Sequence, residues 1–181
     1  MINWGNFGGF FKTGIPSEVF YPSLLITVLL IAVGGPLIKN NRKNYVLWVL
    51  LIEYLFIVVC STIICRKPMD INFDRLELMP FWTYKCVIAH VPGVSVWDIV
   101  LNVVLFLPLG FLVKLLKPSL SIFKMLMVAF TLSLFIETNQ YFFEKGVAQF
   151  DDVMHNMIGA VIGWLLAKLT SNMLRQRESK V

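Results

Sequence analysis

The sequence predicts an all-α polytopic membrane protein with five transmembrane helices and an extracytoplasmic interfacial segment between the second and third. Three observations predict it. Of 181 residues, 57% are hydrophobic and only 15% charged, with a mean hydropathy of +0.74, whereas a soluble domain carries about 25% charged residues. Five apolar runs are each long enough to cross a bilayer, since a helix needs roughly 20 residues to span ~30 Å of hydrocarbon. The basic residues fall in short clusters between those runs, which is how membrane orientation is encoded. That distribution accounts for the formal charge of +5 and argues against nucleic acid as a partner.

The first run covers residues 21–38 and the second 45–65, with Glu53 in its middle. The third covers 97–116, with Asp98 and Asn102 in its first two turns and Pro108 further in. Pro108 removes a backbone donor, leaves the Val104 carbonyl without its helical partner and predicts a kink. The fourth covers 121–143 and the fifth 152–170. Lys114 and Lys168 lie where long side chains snorkel to the headgroups. Such a length leaves no room for a separate soluble unit, so residues 1–181 read as one transmembrane domain. The N-terminal stretch lacks a basic region and cleavage site, which predicts no removed signal peptide. Cys60, Cys65 and Cys86 are odd in number and widely spaced, and read as free thiols; five residues apart, Cys60 and Cys65 are expected on different helix faces.

Orientation follows from the basic residues. Lys39, Arg42, Lys43, Lys114, Lys117, Lys124, Lys168, Arg175, Arg177 and Lys180 fall on one side, and Lys12, Arg66, Lys67, Arg75, Lys85 and Lys145 on the other. The richer side is cytoplasmic, which places the C-terminus inside and the N-terminus outside. The connection 66–96 then lies outside, and Phe81, Trp82 and Tyr84 suit the membrane interface.

This topology collects polar residues at one depth. Asp98 and Asn102 are four apart near the outer end of the third span, and Glu137 and Gln140 three apart near the outer end of the fourth. Asp152 and Asn156 share a face at the outer end of the fifth, with Asp151 and His155 on a neighbouring face. Three converging carboxylate–carboxamide pairs predict an outward-facing polar pocket, because ionisable groups in spans need partners, water or a ligand. Taken singly, Asp98 and Asp152 also suit helix caps. Glu53 has no evident polar neighbour at its depth.

The chemistry remains open at this point. Asp98, Glu137 and Asp152 are the residues that would ligate a hard divalent cation, if any is bound. The same groups would serve as general acid and base, or bind a headgroup by hydrogen bonds without catalysis. An anionic ligand fits poorly among carboxylates unless Arg66, Lys67, Arg75, Lys85 or Lys145 reaches in.

Several segments, in order, carry a resemblance. LELMPFWTY contributes Leu78, Met79, Pro80 and Phe81; DIVLNVVLFLPLGFLV contributes Asp98, Asn102, Phe106, Pro108 and Gly110. IETNQ contributes Glu137 and Gln140, and FDDVMHNMIGAVIGW contributes Asp152, Asn156, Gly159 and Gly163. With these the chain resembles the VanZ-like family of bacterial membrane proteins. Gly159 and Gly163 also form a small-residue face expected to pack against another helix. The sequence departs from the family in two places. Glu77 stands at a family asparagine, and Lys145 and Gly146 stand where an arginine usually precedes the aspartates. A bidentate grip on phosphate is thereby put in doubt.

The resemblance implies a bacterial cytoplasmic-membrane protein associated with low-level resistance to the glycopeptide teicoplanin, acting apart from the enzymes that remodel the wall precursor. The expected partners are membrane lipids and a lipid-linked peptidoglycan precursor or the glycopeptide. No cofactor is expected for a binding protein. The alternative is a metal-assisted hydrolase or transferase acting on a lipid-linked precursor, which would take a divalent cation.

Overall fold

The structure is a computed structural model and describes residues 15–38, 40–68 and 76–178. Five of its helices are long and apolar enough to cross a membrane. They are α1 (Ser17–Leu37), α2 (Arg42–Ile64), α4 (Val96–Leu116), α5 (Ile122–Phe142) and α6 (Phe150–Glu178). A short helix, α3 (Trp82–Ile88), lies between α2 and α4. Two residue pairs form a small parallel bridge, β1 (Leu76–Glu77) with β2 (Ala148–Gln149). Lys12, Lys39, Arg75 and Lys180, which entered the charge pattern, lie outside the described residues.

The core sits between α2, α4, α5 and α6, where Val58, Phe106, Leu109, Met125, Ala129, Ile136 and Ala160 are buried together. Large apolar residues such as Leu25, Ile26, Phe123, Phe135 and Leu169 are instead exposed around the bundle, as a hydrocarbon solvent allows. The tightest seam joins α4 to α6. A β-carbon at Gly159 would overlap the Val103 carbonyl, one at Gly163 the Leu107 carbonyl, and one at Gly110 the Ala160 carbonyl. Three glycines therefore let two backbones touch, in the manner of small-residue membrane interfaces.

Two expectations are corrected here. Glu53 is not isolated at its depth: Ser23 and Thr27 of α1 donate hydroxyl hydrogen bonds to its carboxylate at 2.8 and 3.1 Å. Short hydroxyls in an apolar run are easily passed over, yet they supply a polar group with partners inside the membrane. Cys60 and Cys65 do share a face. Residues Cys60–Ile64 form a π-helical turn, with the Cys65 amide bonded to the Cys60 carbonyl at 2.8 Å, and the two thiols meet. A π-turn brings i and i+5 into register, which an α-helix does not. Both cysteines and Cys86 are free.

Pro108 lies inside α4. The Tyr54 hydroxyl of α2 donates to the neighbouring Leu105 carbonyl at 2.8 Å, so the ladder weakened by proline is buttressed by a side chain from the next helix.

Candidate functional site

Alternating helix directions bring the end of α2, the start of α4, the end of α5 and the start of α6 to one end of the bundle. At the start of α4, Asp98 accepts a hydrogen bond from the Ser95 amide at 2.7 Å and is exposed. It caps its own helix and stands at the rim of the site. One turn deeper, the Asn102 side-chain amide donates to the Asp152 carboxylate at 2.6 Å. This bond ties α4 to α6 directly above the glycine seam.

On α5, Glu137 is buried and accepts from the Gln149 backbone amide at 3.1 Å. Gln140, also buried, donates to the Thr62 carbonyl at 3.3 Å. That carbonyl belongs to the last turn of α2, where helical acceptors lack intrahelical donors. Glu137 and Asp152 lie within electrostatic reach of one another, as do Asp152 and Asp98.

A guanidinium enters this cluster. Arg66, two residues beyond α2, is half-buried, and a β-carbon placed on Gly146 would lie 3.3 Å from its Nη2 and 3.2 Å from the Gln140 side-chain oxygen. Burial pulls the Arg66 guanidinium below its ordinary pKa, and the carboxylates of Glu137, Asp152 and Asp98 pull it back up. Of the six basic residues that topology placed at this end, Lys12 and Arg75 lie outside the described residues, and among the other four Arg66 is the one positioned among the carboxylates. Lys145 donates instead to the Ile63 and Ile64 carbonyls at the end of α2. Lys85 contacts the Met79 sulfur at 3.3 Å, and Lys67 is exposed.

The remaining candidates have other duties. Asp151, adjacent to Asp152 but about 100° around the helix, is buried and accepts from the Phe81 and Thr83 amides at 2.7 and 2.8 Å. Phe81 has φ of 62° and leads into α3, so Asp151 holds an unusual turn and the first amides of a helix in another segment. Thr83 donates to the Gln149 side chain at 3.1 Å, and the Tyr84 hydroxyl bonds His155 Nε2 at 2.8 Å. Together with the β1–β2 bridge, these contacts clip residues 76–88 against the start of α6. Pro80 and the Phe81 ring are on the exposed side of that clip. Asn156 lies a turn below Asp152 and donates to Ser133 Oγ at 2.7 Å. Asn156 Oδ1 and His155 Nδ1 are buried with no hydrogen-bond partner among the described residues.

The structure thus gathers Asp152, Asn102, Glu137 and Gln140 around Arg66, with Asp98 at the rim. It sends Asp151 and His155 to the clip, Lys145 to the end of α2, and Asn156 to Ser133. Ser133, Thr83 and Gln149 are partners that sequence reasoning missed; each is a small or amide residue on an element whose facing is set only by tertiary packing. Among the described residues, no group of three or more His, Cys, Asp or Glu side chains is gathered closely enough to hold a metal ion. Asp98, Glu137 and Asp152 are therefore not arranged as a ligand set.

The VanZ/LLP1 family model matches residues 45–171, well over half of the chain. The protein belongs to the VanZ/LLP1 family. The match begins in α2 and ends in α6, so every element of the polar site lies within the VanZ/LLP1 stretch while α1 precedes it. Family membership and five membrane-length helices make this a multi-pass membrane protein. No curated protein and no solved structure gives a significant match.

Proposed function

We propose that this VanZ/LLP1 protein resides in a bacterial cytoplasmic membrane with its N-terminus outside and C-terminus inside, and that its polar site faces the outer leaflet. There the site binds the polar head of an envelope component, a lipid-linked wall precursor or a glycopeptide, and lowers teicoplanin susceptibility by binding rather than by covalent change. The observation that carries this reading is the convergence of Glu137, Asp152, Asn102 and Gln140 from α4, α5 and α6 at one end of the bundle. Carboxylates and carboxamides together offer both acceptors and donors, which suits the hydroxyl, amide and amine groups of a polar headgroup.

The test compares cells carrying wild-type protein with cells carrying Glu137→Gln or Asp152→Asn at equal expression. The expected result is a lower teicoplanin inhibitory concentration in both variants. Unchanged susceptibility in both removes the site from resistance. Product release from a lipid-linked pyrophosphate by the purified protein with magnesium or manganese would replace this reading with the enzymatic one.

A further inference from the structure

We infer that Arg66 is the resident counter-charge of the carboxylate cluster, a positioning residue of the site, and that Gly146 is the slot that admits its guanidinium. The inference concerns how the site is built, and it holds or fails independently of which envelope component the site binds.

Space comes first. Gly146 is buried, and its missing side chain is what leaves room for Arg66 Nη2 and the Gln140 side-chain oxygen, both just over 3 Å from where a β-carbon would sit. A β-carbon at that distance forces a few tenths of an ångström of displacement, and a branched side chain forces more. The second step is charge. The carboxylates of Glu137 on α5, Asp152 on α6 and Asp98 on α4 lie within electrostatic reach of the guanidinium. Glu137 and Asp152 also act on each other. Like charges a few ångströms apart in a poorly solvated site are costly, and a cation between them is the direct remedy.

The third step is chemical. A guanidinium stays charged at any pH the cell meets and presents five donors in a plane, so one Arg66 can serve several oxygen acceptors at once. Lys145, the nearest lysine in sequence to the slot, is committed to the Ile63 and Ile64 carbonyls. The site therefore takes its cation from the segment after α2 and its carboxylates from the other three helices.

The charged groups facing Arg66 are Glu137 on α5, Asp152 on α6 and Asp98 on α4, with Lys145 at the end of α2 as the nearby cation. Removing the guanidinium hurts most where the carboxylates are present to be balanced, and least where neutral amides replace them. Thermal unfolding of the purified full chain in mild detergent reads this out. Arg66→Gln is expected to lower the midpoint in the otherwise wild-type chain, and by less than half as much in a Glu137→Gln, Asp152→Asn background. Gly146→Val is expected to mimic Arg66→Gln, and combining the two should cost little beyond either alone.

An Arg66→Gln deficit undiminished in the neutralised background would reduce Arg66 to a packing residue and overturn the inference. Full additivity of Gly146→Val with Arg66→Gln would overturn the slot. Should Arg66→Gln fail to yield folded protein, Arg66→Lys keeps the test decisive, because it retains charge without the plane. Its deficit must be smaller than that of Gly146→Val, which displaces charge and plane together; a larger deficit counts against the proposal.

Discussion

Replacing Asp151 with alanine should loosen the hold of α6 on residues 76–88 while leaving the bundle folded. The carboxylate is 3% exposed and accepts from the Phe81 and Thr83 amides at 2.7 and 2.8 Å. Hydrogen bonds to a charged acceptor contribute about 1.5–3 kcal/mol each, so losing both weakens the clip by about 3–6 kcal/mol. The Tyr84–His155 bond and the β1–β2 bridge remain, so the segment opens more often without being lost. Amide hydrogen exchange in detergent measures this directly, because exchange through local opening tracks the opening free energy. The Phe81 and Thr83 amides should exchange at least about 10²-fold faster, taking 1.4 kcal/mol as tenfold and the lower bound of the bond energy. Amides around Phe106, in the core of α4, should not change. Asp151→Asn keeps one acceptor and should fall between the two. Equal exchange at Phe81 and Thr83 in the alanine variant and the wild type would refute the assignment of Asp151 to the clip.

Three further outcomes follow from single contacts. Gly159→Val puts a branched side chain into the Val103 carbonyl and should part α4 from α6, read as a large drop in the thermal unfolding midpoint in detergent. Gly93→Ala, on an exposed turn with φ of 87° and open space around it, should cost only about 1–2 kcal/mol of backbone strain, read as a small drop in unfolding midpoint. Replacing both Ser23 and Thr27 with alanine strips Glu53 of its donors and should loosen α1 alone, read as faster exchange confined to residues 17–37.

The spans were legible because bilayer thickness leaves a direct mark on apolar length. The runs at 45–65, 97–116 and 121–143 fall within a few residues of α2, α4 and α5. The fifth helix begins at Phe150 and runs on to Glu178, past the apolar run at both ends, because its polar first turn and basic last turns still satisfy their backbones helically. What apolar length does not record is local winding. The π-turn at Cys60–Ile64 has no composition signature, and it reverses which cysteines share a face. Glu53 was unreadable for a related reason, since its partners lie on a different helix and are small hydroxyls within an apolar run.

The adjacent aspartates show where sequence reasoning about the site stops. Spacing along a helix fixes relative angle, and it correctly separated Asp151 from Asp152 by about 100°. It does not say what stands at each angle, which depends on how the 76–88 segment folds back. Only that fold shows Asp151 spending its carboxylate on two backbone amides and Asp152 turning toward Asn102 and the charge of Arg66. The same logic governs Arg66, which in sequence was a marker of membrane sidedness and one of five basic residues that could reach the carboxylates, with nothing to single it out. Its place among the carboxylates depends on a vacancy at Gly146, eighty positions away in the chain. A site assembled from groups on four helices is therefore half visible in sequence, through the carboxylates that helical periodicity aligns. The other half, the cation and the clip, is specified by a glycine and by backbone amides, which carry no chemistry of their own until the chain is folded.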